Sequence, residues 1–279
     1  MGGRGSAWDT ARSAADAAGV RVRPLTSLDD ASAISDVAGL LWEEGALAPA
    51  MARAFQHAGS GVFGAEAEGR LVGFVLGFIG LEEGLHMHSH MLGVLPERQS
   101  RGVGLALKLA QRAACLEAGI DEVRWTYDPL VARNAWFNLV KLGAIATGFL
   151  PGFYGEMTDR LNRGDRSDRF DVRWRLASKR VERALSGKAA PPSASASILR
   201  AEGDPERPSS FRSAVPPSGA TVVIPRDHFG LRVRHPDLGR AWRDASAAAF
   251  QACFEAGLVA AWIDRNGMYV FQPPEEISE

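Results

Sequence analysis

Three histidines at alternating positions give this chain residues that could transfer protons. His86, His88 and His90 lie within the apolar stretch LHMHSHMLGV. Side chains two residues apart on a β-strand lie on one face, so a strand here would point all three imidazoles in one direction. An imidazole with a reference pKa of about 6.5 can accept a proton near neutral pH. Because three neighbouring imidazolium cations would repel one another, we expect at least some of them to be neutral at pH 7.

A glycine-containing loop follows this stretch and has the composition of a phosphate-binding turn. Pro96 ends the predicted strand, and Gln99–Gly104 (QSRGVG) precedes apolar residues at helical spacing. A helix start presents free N–H groups and the positive end of the helix dipole, and glycines let a phosphate approach the backbone. Arg98 and Arg101 add positive charge. The alternative for a G-x-G loop is an ordinary strand-to-helix turn.

The strand, loop and helix together resemble motif A of the GNAT N-acyltransferases, in which Q/R-x-x-G-x-G/A follows a strand ending in Val-x-Pro. The resemblance implies that the protein binds acetyl-CoA, or another acyl-CoA such as succinyl-CoA. The loop would hold the CoA pyrophosphate, and the backbone at the end of the strand would pair with the pantetheine arm. The cofactor-binding residues implied are Leu92, Gly93, Val94, Gln99, Ser100, Arg101, Gly102, Val103 and Gly104.

The histidine strand is also similar to the two-histidine strand of arylalkylamine N-acetyltransferases. That similarity implies that His90 or His88 removes the proton from an amine acceptor. Together with later segments, residues 20–180 resemble an uncharacterised bacterial GNAT subfamily, some members of which are thought to N-acylate amino acids. Many GNATs carry a tyrosine as general acid where this chain has Leu139, so Tyr154 is our preferred replacement.

Three further polar residues are candidates for the site. Asn134 begins a predicted helix and matches a GNAT position near the pantetheine or acyl end; the alternative is that it caps the helix. Arg163 and Arg169 lie in a basic segment and could bind a substrate carboxylate or the CoA 3′-phosphate. The alternative there is a solvated surface on which the charges pair with one another.

The order of predicted elements indicates an α/β fold with a GNAT-like mixed, mostly antiparallel sheet flanked by helices. We expect a flexible N-terminus over residues 1–19, a catalytic acyl-CoA-binding domain over 20–186, a Pro/Ser/Ala-rich linker over 187–219 and a small α/β appendage over 220–279. Since the appendage is too small for a confident core of its own, we expect it to dock on the first domain or on a second copy in a homodimer.

Composition and charge limit the classes of binding partner and the cellular compartment that the sequence predicts. The chain has 279 residues and a net charge of −1, so no global field favours nucleic acid. No apolar run reaches membrane-spanning length, and no apolar segment of the N-terminus reads as a signal peptide. Residues 1–6 match a myristoylation pattern, which we interpret as a flexible glycine-rich start. Two cysteines favour a reducing cytoplasm, the Ala/Arg/Gly-rich composition is typical of bacteria, and no metal-ligand spacing occurs.

These observations predict an enzyme that moves an acetyl or other short acyl group from acyl-CoA to a primary amine of a small molecule, with an amino acid among the candidate acceptors. One alternative is a protein N-terminal or lysine acetyltransferase, which needs an open peptide groove. The other is a non-catalytic CoA-binding module, which Leu139 makes credible.

Overall fold

A computed structural model describes residues 3–43, 45–59, 61–155, 164–193, 196–211 and 214–274. Within those ranges the chain forms eight α-helices and thirteen β-strands. Apart from the short β9–β10 pair, nine strand pairings are described, and seven of them are antiparallel. The predicted α/β class with a mixed, mostly antiparallel sheet is therefore confirmed. The chain divides into two compact units, Met1–Trp125 and Thr126–Glu279.

The first unit is a sheet in which neighbouring strands follow the chain order. Strands β1 to β4 pair antiparallel in sequence, and β4 pairs parallel with the start of β5. The elements are α1 Gly3–Ala18, β1 Arg21–Pro24, α2 Leu28–Leu41, α3 Pro49–His57, β2 Phe63–Ala67, β3 Arg70–Gly80, β4 His86–Val94, α4 Val103–Glu117 and β5 Glu122–Tyr127.

Two hydrophobic clusters hold helices against this sheet. One joins Ala15 of α1 and Leu107 of α4 to Val75 of β3, and the other joins Ile34 of α2 to Phe74 of β3. Neighbouring residues of a strand point to opposite faces, so the sheet lies between the α1/α4 pair and the α2/α3 pair. Both faces of β3 are therefore buried, as are His86 and Met87 at the start of the neighbouring strand β4.

The N-terminal segment, expected to be flexible over residues 1–19, is a helix. Ala7, Ala11 and Ala15 recur every four residues of α1 and are buried, which places them on one helix face. Trp8 donates a hydrogen bond from Nε1 to a carboxylate oxygen of Glu117 in α4 at 3.1 Å. Within this segment the Ala-rich composition predicted a loose helix over residues 7–19, and α1 begins earlier, at Gly3, and packs against α4.

The second unit is built on a sheet in the order β7-β6-β12-β13-β11-β8. Phe170 of β7 is completely buried and joins an aromatic cluster. Its ring contacts those of Tyr127, Phe149, Phe250, Phe254, Tyr269 and Phe271. The elements are α5 Ala132–Trp136, β6 Ile145–Leu150, β7 Arg169–Arg175, α6 Lys179–Leu185, β8 Ser197–Leu199, β9 Ala201–Glu202, β10 Arg207–Pro208, β11 Ala220–Val223, α7 His228–Arg234, α8 Pro236–Glu255, β12 Val259–Ile263 and β13 Met268–Gln272.

This packing differs from the expected domain boundaries. The division falls inside β5, between Trp125 and Thr126, and not at residue 186. The predicted linker contains β8, β9 and β10, and Ile198 and Leu199 of β8 are buried. The predicted appendage joins the sheet of the second unit, because Ala260 of β12 pairs with Ala146 of β6. Serine and proline content hid these strands, since each is only two or three residues long.

A buried ionic cluster ties α7 and α8 to the residue that follows β5. Arg243 donates two hydrogen bonds to the Asp128 carboxylate, at 2.8 and 2.9 Å, and also binds Asp165. His228 and Arg232 lie 3.1 and 3.0 Å from the same Asp165 carboxylate. Burial would raise the pKa of Asp165, but the hydrogen bonds from His228 and Arg243 outweigh it and hold that pKa below its usual range. The cluster therefore anchors the C-terminal helices through charge as well as through the aromatic core.

None of the helices in the described ranges combines the length and the apolar composition that a membrane crossing needs.

Candidate functional site

The histidine strand carries a β-bulge at His90. Along β3 and β4, Leu76 opposes Met91, but the next residue, Gly77, opposes Ser89. His90 is therefore the extra residue of β4, without a partner of its own on β3. Bulges bend a strand and re-aim side chains, and they are frequent beside active sites. The sequence predicted the alternation of the histidines but contained no signal for the bulge.

The three histidines differ in exposure along the strand. His86 is buried, with Nδ1 2.9 Å from the Gly84 carbonyl, which can only accept a hydrogen bond. His88 is half-buried and His90 is exposed. The rings of His88 and His90 have centroids 6.2 Å apart, and both approach Phe78 of β3, at 5.1 and 5.8 Å.

The neighbouring rings form a continuous surface, which we call the aromatic wall. It consists of Phe55, Phe78, His88 and His90. Phe55 of α3 stacks on Phe78 with centroids 5.5 Å apart and an interplanar angle of 12°. Sequence reasoning missed Phe55 and Phe78, because only the β3–β4 register and the position of α3 bring them beside the histidines.

Both histidines of the wall favour the neutral form. Burial, followed by the charges of His90, His86 and Lys108, lowers the pKa of His88 to about 4. Desolvation also lowers the pKa of His90 from its ordinary value. Both imidazoles are therefore neutral at pH 7, as expected for clustered histidines, and His90 has the free surface that a proton acceptor needs.

The predicted phosphate loop presents a row of free backbone donors. Within the described residues, the N–H groups of positions 100–105 have no hydrogen-bond acceptor. Ser100 has φ of 60° and Gly102 has φ of 89°, and Gly102 is the N-cap residue of α4. Two left-handed residues, separated by Arg101, thus lie just before a helix start, where unpaired N–H groups and the helix dipole favour an anion. The donor set fits a pyrophosphate.

Side chains around the loop attach it to the sheet. Gln99 donates from Nε2 to the Val94 carbonyl at 3.0 Å, so the loop is held against the end of β4. Arg98 donates to Glu68 at 2.7 Å, whereas Arg101 is exposed on the loop. Arg101 is thus the cation of this pair that faces solvent.

One edge of β4 is open beyond the histidines. On this edge β4 pairs parallel with β5 at two positions, Met87 with Val123 and His88 with Arg124. Within the described residues no later residue of β4 pairs with β5. The stretch predicted to bind a pantetheine arm, Leu92–Val94, lies past this point while still paired to β3 on its other side. An extended ligand with amide groups could add to such an edge by backbone hydrogen bonds.

Tyr154 and Arg169 contact each other in the second unit. The guanidinium carbon of Arg169 lies 5.2 Å from the centre of the Tyr154 ring, and the Tyr154 hydroxyl is 3.3 Å from the hydroxyl of Thr126. Tyr154 is 44% exposed, but Arg169 is only 7% exposed and donates to the Asp168 carbonyl at 2.9 Å. Arg163 lies outside the described residues.

The helix after β5 differs from the prediction in its start and its type. α5 begins at Ala132 with Val131 as its N-cap, so Asn134 is an exposed residue of the first turn and not a cap. Phe137–Lys141 continues as a π-helix, and Leu139 within it is buried. Leu139 is therefore a core residue.

Within the described residues, no group of three or more His, Cys, Asp or Glu side chains is placed to hold a metal ion.

Comparison with known proteins identifies one family. Residues 32–137 match the sequence model of the acetyltransferase (GNAT) family, which confirms the resemblance read from the loop and its flanking strand and helix. A search of curated proteins found no match.

Solved structures with a similar fold include Ard1 from Thermoplasma volcanium, at 20% identity and a TM-score of 0.44 over 56% of this chain and 96% of that one. The ribosomal-protein-S18-alanine N-acetyltransferase from Escherichia coli matches at 15% identity and a TM-score of 0.46, over 56% of this chain and 94% of that one. A structure of yncA from Salmonella typhimurium with its cofactor acetyl-CoA matches at 17% identity and a TM-score of 0.46, over 57% and 94%.

The low pKa of His88 predicts a titration that NMR can resolve. In protein labelled with 15N-histidine, and with the signal assigned by His88→Gln, the His88 imidazole should titrate near pH 4. Since the folded-state pKa lies below the unfolded value of about 6.5, the unfolded state binds the proton first, and His88 should reduce stability as pH falls from 6.5 to 4. A His88 midpoint at or above 6.5 would contradict this assignment.

Proposed function

We propose that the protein, in which residues 32–137 match the model of the acetyltransferase (GNAT) family, transfers an acetyl or other short acyl group from acyl-CoA to a primary amine of a small molecule. The observation that carries the proposal is the combination, within the first unit, of the free N–H groups of the loop and a neutral, exposed imidazole on a bulged strand. The first suits a pyrophosphate, and the second suits the deprotonation of an amine.

The loop and the open edge of β4 would bind the acyl-CoA. The N–H groups of positions 100–105 and the positive end of the α4 dipole would hold the pyrophosphate, with Arg101 adding charge. The backbone of Leu92–Val94 would pair with the pantetheine amides. Bound in this way, acyl-CoA supplies an activated acyl group on a thiolate leaving group.

His90 is the better candidate for the general base. An alkylamine is mostly cationic at pH 7 and must lose a proton before it can attack a carbonyl carbon. His90 is neutral and exposed, so it can accept that proton directly or through a water molecule. His88 is half-buried with a pKa of about 4, which makes it a weak base; its role would be to line the site beside His90.

The aromatic wall favours an acceptor with an apolar or planar group next to its amine. The stacked rings of Phe55 and Phe78 continue into the two neutral imidazoles, so the wall carries no charge at pH 7. Such a surface binds apolar and π-bearing groups. An amino acid acceptor would in addition need a cation for its carboxylate, a role that we assign to Arg169 or Arg163.

Further roles that we assign in the second unit rest on the sequence. Tyr154 has an exposed phenol, oriented by the Arg169 guanidinium and the Thr126 hydroxyl, and would protonate the leaving thiolate. Asn134, exposed on the first turn of α5, would contact the pantetheine or acyl end. No step depends on Leu139, which is buried.

The activity itself can be tested by following free thiol release. Purified protein should release CoA thiol from acetyl-CoA in the presence of aromatic or branched primary amines, with succinyl-CoA and amino acids as further arms of the panel. Peptides with free N-termini serve as the competing class. Turnover of peptides alone would replace the proposal by a protein acetyltransferase, and no turnover with any acceptor would favour a CoA-binding module.

The cofactor site predicts a specific effect of Gly102→Glu. The new side chain would place a negative charge at the proposed phosphate site and strain a backbone with φ of 89°, so acetyl-CoA affinity should fall at least roughly tenfold by calorimetry. Gly119→Glu is the matched control, because Gly119 follows the other end of α4 with φ of 77° and open space around it. Equal affinity in folded Gly102→Glu and wild-type protein would remove the loop from the cofactor site.

The base assignment predicts the kinetics of His90→Gln. Acetyl-CoA affinity should be kept, kcat/KM for the amine should fall by roughly 10²-fold, and the acidic limb of the pH–rate profile should be lost or moved. His235→Gln, at an exposed histidine of the second unit, provides the control. Activity within a few-fold of wild type, with the acidic limb intact, would transfer the role to His88.

A further inference from the structure

A buried lysine lies beneath the histidine strand and takes no part in the chemistry proposed above. Lys108 of α4 is 2% exposed. Its amine donates to the Ser89 hydroxyl at 2.9 Å and to the Gln111 amide oxygen at 3.0 Å, and it lies 4.0 Å from the centre of the Trp125 ring. Lysine is rarely buried completely because desolvating an ammonium group is costly, so a site that keeps one has a reason other than packing.

The partners of Lys108 lie at the bulge. Ser89 is the residue immediately before His90, and it opposes Gly77 where the register shifts. Gly77 also has close neighbours there: a Cβ on it would lie 2.8 Å from the Gln111 amide nitrogen and 2.8 Å from the His88 carbonyl oxygen. Lys108 and Gln111 thus reach from one helix face to both strands at the point where β4 gains its extra residue.

The charges around this amine come from two elements. His86, His88 and His90 face the other side of β4, and Cys115 lies on α4 itself; the charge of Lys108 helps to lower the pKa of His88. Burial lowers the pKa of Lys108 to about 7, so the amine is in part neutral at physiological pH and can accept as well as donate a hydrogen bond.

We propose that Lys108 is a positioning residue, which by binding Ser89 from beneath β4 holds the bulge at which His90 is the extra residue. The consequence for activity rests on the function proposed above, whereas the structural role does not. Without the bulge, His90 would oppose Leu76, and the residues of β4 after it would move by one position against β3, which would turn their side chains to the opposite face of the sheet. Lys108 therefore acts through the strand and not on the substrate.

Two variants separate hydrogen bonding from charge. Lys108→Met removes both, whereas Lys108→Gln keeps a group that can bond Ser89 but removes the charge. Leu109→Val is the packing control, since Leu109 is the next residue of α4 and is 3% exposed. All three are compared with wild type in acetyl-CoA affinity, amine kinetics and the NMR titration of His88 and His90.

For Lys108→Met we expect kcat/KM to fall about tenfold or more at unchanged acetyl-CoA affinity, with altered His90 signals and faster amide exchange over Ser89–Leu92. Lys108→Gln should recover most of the activity and the wild-type His90 signals. In both variants the His88 titration should move upward, because a neighbouring positive charge is gone.

The proposal is overturned if Lys108→Met leaves the His90 signals and the amide exchange of β4 as in wild type, since the His88 titration responds to the lost charge in any case. It is also overturned if Leu109→Val causes the same changes at a similar melting temperature, since packing alone would then explain them. If no amine is turned over by the wild type, the NMR and exchange measurements still decide the role of Lys108, so failure of the proposed activity is distinguishable from failure of this inference. If Lys108→Met does not fold, Lys108→Gln and Leu109→Val carry the comparison.

Discussion

The register of β3 against β4 is the constraint on which the first unit depends. Glycines on β3 let β4 approach closely: a Cβ on Gly80 would lie 2.3 Å from Nε2 of His86, and one on Gly73 would lie 2.7 Å from the Gly93 carbonyl oxygen. Within that register, His90 is the extra residue of β4 and is exposed, whereas His86 is buried and His88 is half-buried. Exposure therefore differs between chemically identical side chains that lie two residues apart.

The two faces of β4 have opposite environments, and both contribute to the site. One face holds neutral imidazoles and stacked phenylalanines, and the other holds an amine, a hydroxyl and an amide in an otherwise apolar layer. The charge of Lys108 on the buried side disfavours protonation of His88 on the other face. A charge on one face of the sheet can therefore shift the pKa of a group on the other face.

Local patterns were sufficient to predict the elements but not their packing. The loop around Gly102, the Ser27 cap of α2 and the hairpin around Asn266-Gly267 each have short-range signals, and the structure contains the corresponding helices and turn. The bulge, the stacking of Phe55 on Phe78 and the burial of Lys108 depend on contacts between residues far apart in sequence. The joining of β12 to β6 had no local signal either, because the pairing spans more than one hundred residues of chain.

The alanine face of α1 also has a consequence for the order in which the chain is made. α1 is synthesised before α4, and Val103, Leu107 and Ala110 of α4, which belong to its hydrophobic cluster, leave the ribosome only after many further residues. During that interval α4 is not available to cover this face of the helix. A face of small methyl groups exposes much less apolar area than a leucine face would, which limits association between nascent chains while α1 waits for its partner. The weak hydrophobicity of this face is thus suited to a helix that must wait for α4 during synthesis.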